Sequence, residues 1–167
     1  MATQNLLQRL DSAADTTGSS VNVSDRRIEE VFIASEAISA GDFVCLDLDK
    51  SDNSDKALYV KKLTVTPISS LGIGVAIAAA GIGENIRVCI RGMISANVDT
   101  GINQGYRLIG SSTAGRAVVA PSYRSDQKEG SGGAGAGAVT QQAHILAIAV
   151  GASGGTNVAT VYVLPSF

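Results

Sequence analysis

Three stretches of this sequence carry residue types and spacings that could do chemistry. The first, GIGVAIAAAGIGENIRVCIRG at 72–92, has the closely spaced glycines of a loop that cradles phosphate. A dinucleotide fingerprint needs G-x-G-x-x-G at the start of a helix. Gly72 and Gly74 fit, but Ile77 stands at the third position. The residues after the glycines alternate: Ile86, Val88 and Ile90 interleave with Asn85, Arg87, Cys89 and Arg91. A period of two is a strand with one apolar and one mixed face. The glycines of AAGIGE then serve a hairpin turn. No G-K-[ST] occurs, so a Walker loop is absent as well.

The second stretch, GASGG at 151–155, has the G-x-S-x-G spacing of a nucleophile elbow, with Ser153 as the attacking group. An elbow leads from strand into helix, with the acid and then the histidine later in the chain. Here TNVATVYVLPSF comes next, which reads as a strand, and the single histidine, His144, comes before Ser153. With no second histidine and no cysteine pair nearby, His144 also makes a poor zinc ligand. The third stretch, DLDKSDNSD at 47–55, offers Asp47, Asp49, Asp52 and Asp55 as oxygen ligands for Ca²⁺. The EF-hand pattern fails, because Asp52 replaces the turn glycine and Leu58 the bidentate glutamate. A solvated hairpin loop is the simpler reading. The expectation is a protein with no catalytic residues, no cofactor and no bound metal.

Composition agrees with a small-residue β-protein. Hydrophobic residues make up 45% of 167 but aromatics only 4%, so Val, Ile, Leu and Ala must build the core. Nineteen glycines against three prolines favour many tight turns over long helices. A net charge of −2 gives no general basic face for nucleic acid. Cys45 and Cys89 are too few for a disulfide framework; they read as reduced apolar thiols or as one cross-strand bridge. MATQNLLQRLDSAAD lacks the apolar run of a signal peptide, and no stretch reaches ~18 apolar residues, so no membrane span is expected.

Two regions organise the chain. Residues 1–30 are largely polar, with Leu6, Leu7 and Leu10 on one stripe that fits a short helix, then isolated Val21, Val23 and Ile28. They read as a disordered terminus or as an arm that orders on a neighbour; thirty extended residues reach on the order of 100 Å. Residues 31–167 read as one β-domain of short strands: VFIAS, FVCLDL with Val44, Leu46 and Leu48 on one face, ALYVKKLTV, IGVAIAA, NIRVCIRGMI, YRLIG with RAVVAP, HILAIAV and NVATVYVLP. The glycine-rich stretch 122–142 reads as a mobile loop or projecting hairpin. VAIAAAGIGENIRVCI also resembles LAIAVGASGGTNVATVYV about 71–72 residues on, too few copies for a solenoid but fit for a pseudo-symmetric barrel or two facing sheets. The expected fold is all-β: a single barrel or sandwich with short hairpins, preceded by an extended N-terminal arm. Arg26, Arg27, Lys61, Lys62, Arg87 and Arg91 are candidates for acidic partners, with Arg87 and Arg91 sharing one strand face.

The succession of motifs resembles the capsid decoration, or cement, proteins of tailed bacteriophages. It rests on AISAGDFVCLDLD, an x-I-x-A-G-D-x-V approach to a strand; on GIGVAIAAAGIGENIRVCIRGMI, a G-V-A-x-x-A-A-x-G-E-x-I-x-V-x-x-x-G hairpin; and on GYRLIGSSTAGRAVV after it, so that it spans roughly 36–120. The resemblance implies a virion protein, made in the host bacterial cytoplasm, on the outer capsid surface. There it would bind the major capsid protein, often as a homotrimer, and cement neighbouring subunits. It implies no active site, no cofactor, no direct nucleic-acid contact and no membrane. Leu6, Leu7, Leu10, Val21, Val23 and Ile28 are then expected to anchor the arm on capsid or neighbouring subunits, with Arg26 and Arg27 meeting carboxylates. The alternative is a receptor- or carbohydrate-binding module of a phage tail fibre.

Overall fold

In a computed structural model, the described residues are 27–64, 72–120 and 145–164. They form strands β1 (Ile28–Ala34), β2 (Phe43–Leu46), β3 (Tyr59–Lys62), β4 (Gly72–Ala76), β5 (Asn85–Asn97), β6 (Arg107–Gly110), β7 (Ala117–Val119), β8 (Ala147–Ala149) and β9 (Val158–Val163), with one short helix, α1 (Asn53–Leu58). The all-β expectation is met, and the barrel is the form it takes. Strands pair in the order β1-β3-β2-β4-β5, and β5 returns to β1, which closes a five-stranded ring. All pairings in the ring are antiparallel except β1–β3.

The alternation read in the sequence sorts side chains between two cores. Ile38, Val44, Val60, Ile73, Ala76, Ile86 and Val88 pack together with Phe32, Leu46 and Ile90. Their neighbours Phe43, Cys45, Val75 and Cys89 turn to the opposite face and meet Ile102, Leu108, Leu146, Ala149, Val161 and Val163 from the remaining strands. Each fully buried Val, Leu or Ile among them contributes about 1.5–3 kcal/mol. Cys45 and Cys89 are buried thiols outside any disulfide. Strand β4 lies between theirs, since Cys45 is opposite Gly72 and Cys89 opposite Val75, so the cross-strand bridge is ruled out.

Strand β5 is 13 residues long, three longer than the sequence pattern suggests, and serves both cores. Up to Arg91 it pairs with β1 and β4; from Gly92 on it pairs with β9. Gly92 makes the change of partner at φ 112°, a conformation costly for any side chain. The second half of β5 then opens a repeat of the first unit. It pairs antiparallel with β9, β9 with β8, β8 with β6 and β6 with β7. A parallel bridge, Val98 to Ala117, stands where the parallel β1–β3 pair stands in the barrel. The sequence repeat is the most legible part of this duplication, because it matches hairpin β4–β5 to hairpin β8–β9.

The A-G-D motif joins the units. The Asp42 carboxylate accepts from Ser39 N at 2.9 Å and Asn97 Nδ2 at 2.8 Å, while Asn97 N donates to Gly41 O at 2.8 Å. Asp42 thus ties the turn before β2 to the far end of β5.

The structure departs from the sequence reading in three places. The polar loop after β2 contains helix α1, which begins after Asp52. Strand β2 ends at Leu46, leaving Leu48 46% exposed and off the apolar face. And β1 begins at Ile28, three residues inside the segment assigned to the arm. The stretch 122–142 lies outside the described residues.

Gly74 tests the packing of the ring. A Cβ there would stand 2.3 Å from Cys89 O and 2.7 Å from Val88 Cγ1, so β4 and β5 approach as closely as only glycine permits. Gly74→Ala is expected to destabilise the fold by at least the ~1–3 kcal/mol of an overpacked core, read as a lower denaturant midpoint at unchanged m-value.

Candidate interaction surface

Of the residues assigned to partner contacts, Leu6, Leu7, Leu10, Val21, Val23 and Arg26 lie outside the described residues. The other two sit at the start of β1. Arg27 Nη1 is 3.7 Å from Glu29 Oε1, and Ile28 is 47% exposed opposite Arg91. Val31, three residues on, is 62% exposed. Phe32 and Ile33 turn the strand into the body of the protein, so β1 passes from open surface to core within its seven residues. Sequence reasoning missed Val31 because its run, VFIAS, reads as an ordinary buried strand. The signal was the charged stretch DRRIEE just before it, which marks an exposed flank.

Most of the candidate cations are engaged within the chain. Arg87 binds the Glu29 carboxylate across the β1–β5 pair. Lys62 Nζ lies 4.0 Å from Asp42 Oδ2. Lys61 Nζ sits between Asp47, at 3.3 Å, and Asp49. The aspartate-rich stretch at 47–55 is therefore organised around an internal ammonium group. Asp47 also accepts from Ser35 Oγ at 2.7 Å, and Asp52 stands at the N-terminus of α1. No group of three or more metal-ligating side chains occurs among the described residues.

Ser153, the one residue in a nucleophile-like setting, is buried in the turn between β8 and β9. Its Oγ accepts from Ile102 N at 3.2 Å, and its own N–H donates to Ile102 O at 3.0 Å. It pins one loop to another. His144 lies outside the described residues. Among the described aromatics, Phe43 is buried, Tyr59 is covered by the Lys50 ammonium at 4.2 Å, and only Tyr106 counts as exposed, at 39%.

Asp47, Lys61 and Cys45 titrate away from their ordinary ranges. Burial raises the Asp47 carboxyl, but hydrogen bonds from Ser35, Lys61 and the Asp49 backbone outweigh it and hold the group below 3.8. Lys61 is raised above 10.5, chiefly by its bond to Asp49, against the opposing effect of burial. Burial pushes the Cys45 thiol up to about 11.

No protein-family model matches the chain, and no curated protein matches it. Among solved structures, the fold is similar to the N base of head fiber gp8.5 of bacteriophage phi29. The TM-score is 0.50 at 12% identity, over 83% of this chain and 94% of that one. The two share a fold.

The titrations give a pH profile with a definite sign. Asp47, lowered in the fold, contributes stability above pH 3.8 that is lost as pH falls through its folded value. Cys45 and Lys61, both raised, contribute stability that is lost as pH rises, for Cys45 between 9.0 and about 11. Denaturant midpoints measured across pH are expected to fall at both extremes, with Asp47→Asn flattening the acid limb. Thiol reagents at pH 8 are expected to label Cys45 only after unfolding.

Proposed function

We propose that this protein is a structural component of a tailed-phage virion that binds the outside of the head and cements neighbouring shell subunits. The observation that carries the reading is the fold shared with a protein named as the base of a head fiber, matched over 94% of that chain. The motif order that resembles decoration proteins supports it independently, through the A-G-D turn and the β4–β5 hairpin.

The physical task is adhesion under load. Packed DNA pushes the shell outward, and a protein seated across a subunit boundary adds contacts that expansion must break. A standard interface of about 1,600 Å² suits such a patch. Each aliphatic newly buried there contributes about 1.5–3 kcal/mol before ordering costs. In this reading Leu6, Leu7, Leu10, Val21, Val23 and Ile28 supply apolar contacts to the shell or to a neighbouring copy, and Arg26 pairs with carboxylates there. A homotrimer would engage three sites at once and gain through effective concentration. The tail-fibre reading asks for exposed aromatic rings to stack on sugars, and among the described residues Tyr106 alone qualifies.

Co-sedimentation of the full chain with purified empty heads tests this. The wild type is expected to saturate the heads at a fixed stoichiometry. Leu6→Asp with Leu10→Asp is expected to weaken binding by at least tenfold without changing the circular dichroism spectrum, since loss of one buried aliphatic already corresponds to about 1.5–3 kcal/mol. Failure of the wild type to sediment with heads at micromolar concentration would refute the proposal.

A further inference from the structure

The first half of β1 is a sheet edge that nothing in the described molecule covers. Ala34 N donates to Glu84 O at 2.9 Å, which sets the phase of the β1–β5 ladder. Bonded residues alternate along an antiparallel pair, so Ala34, Phe32 and Glu30 turn their backbone groups toward β5. The N–H and C=O of Val31 and Glu29 face the other way. On that side β3 pairs only with Ile33 and Ala34. Before Tyr59 the chain is in helix α1, so no described strand lies beside Val31. A closed barrel normally removes its edges. This one leaves a seam open, with Val31 62% and Ile28 47% exposed along it.

The sequence supplies a strand for that seam. Residues 19–25, SSVNVSD, place Val21 and Val23 at alternating positions, the pattern of a half-buried strand. Between this segment and β1 stand Arg26 and Arg27, without the glycine or asparagine that a two-residue hairpin turn requires. A tight two-residue hairpin back onto its own edge is therefore disfavoured. Five residue steps from Val23 to Ile28 span up to about 17 Å, so the seam of a copy packed directly alongside is within reach. The charges also complement each other. Glu30 stands on the acceptor edge, and Arg26 follows the donor segment. The geometry points to β1 as the acceptor edge for the Val21–Val23 segment of a second copy of this chain, so that copies join by strand addition.

Sedimentation of the full chain tests this without shells, so its failure and that of the head-binding proposal are distinguishable. The wild type is expected at a multiple of 17.0 kDa. Val31→Pro removes the outward N–H without touching the β1–β5 ladder, and Val31→Lys sets a charge on the seam. Both are expected at 17.0 kDa with the circular dichroism spectrum of the wild type. Chains carrying Val23→Cys, mixed with chains carrying Val31→Cys and oxidised, are expected to form mixed dimers. Three results would overturn the inference: a monomeric wild type, folded Val31 variants of unchanged mass, or a disulfide that forms only within a chain carrying both cysteines.

Discussion

One strand has to satisfy two sheets, and the rest of the fold depends on how it does so. Over its first half β5 is bonded on both sides, to β1 and to β4, while Ile86, Val88 and Ile90 fill one core and Cys89 enters the other. Over its second half it is bonded to β9, and Ala96 and Ile94 pack into the core that Cys89 entered. Residues 90 and 94 have the same parity on a strand yet serve different cores. Gly92 at φ 112° lies between them. Without that turn of the backbone, one of the two cores would lose its residues from β5.

The second unit repeats the pairing scheme of the first, with β5, β6, β7, β8 and β9 standing for β1, β2, β3, β4 and β5. The two are held in place by polar contacts where they meet: Asp42 receives Asn97, and Phe43 N donates to Gly115 O at 2.8 Å. These bonds connect residues more than fifty positions apart, and a buried carboxylate such as Asp42 is stable only with its donors present. The polar signature of the motif, Ala-Gly-Asp, is thus a fastening between units.

Much of this was legible in the sequence for a simple reason. Strands with one buried face must alternate, and Val44 against Cys45 or Val88 against Cys89 display that period directly. The glycine segments declared themselves as turns because the residues after them alternate. Pairing between distant segments was not legible. The parallel β1–β3 pair that closes the ring, and the partner of Glu29, which is Arg87, depend on residues brought together only by folding. The start of β1 was hidden for the same reason: Arg-Arg-Ile-Glu-Glu reads as a solvated flank until Glu29 is seen to pair across to Arg87 on β5. The aspartates at 47–55 suggested a cation, and the cation present is the Lys61 ammonium, which no local spacing announces.

A small barrel with buried thiols, internally paired charges and an open seam along β1 fits the adhesive role proposed above. Its polar groups are spent on holding loops and units together: Ser153 on Ile102, Asp42 on Asn97, Asp47 on Ser35 and Lys61. Along β1 it presents the aliphatic side chains of Ile28 and Val31 outward. Electron cryo-microscopy of empty heads saturated with the full chain tests this account most directly. It predicts added density of this two-unit β-fold at repeated positions on the outer surface, spanning subunit boundaries. Heads that remain bare at saturating protein would contradict it.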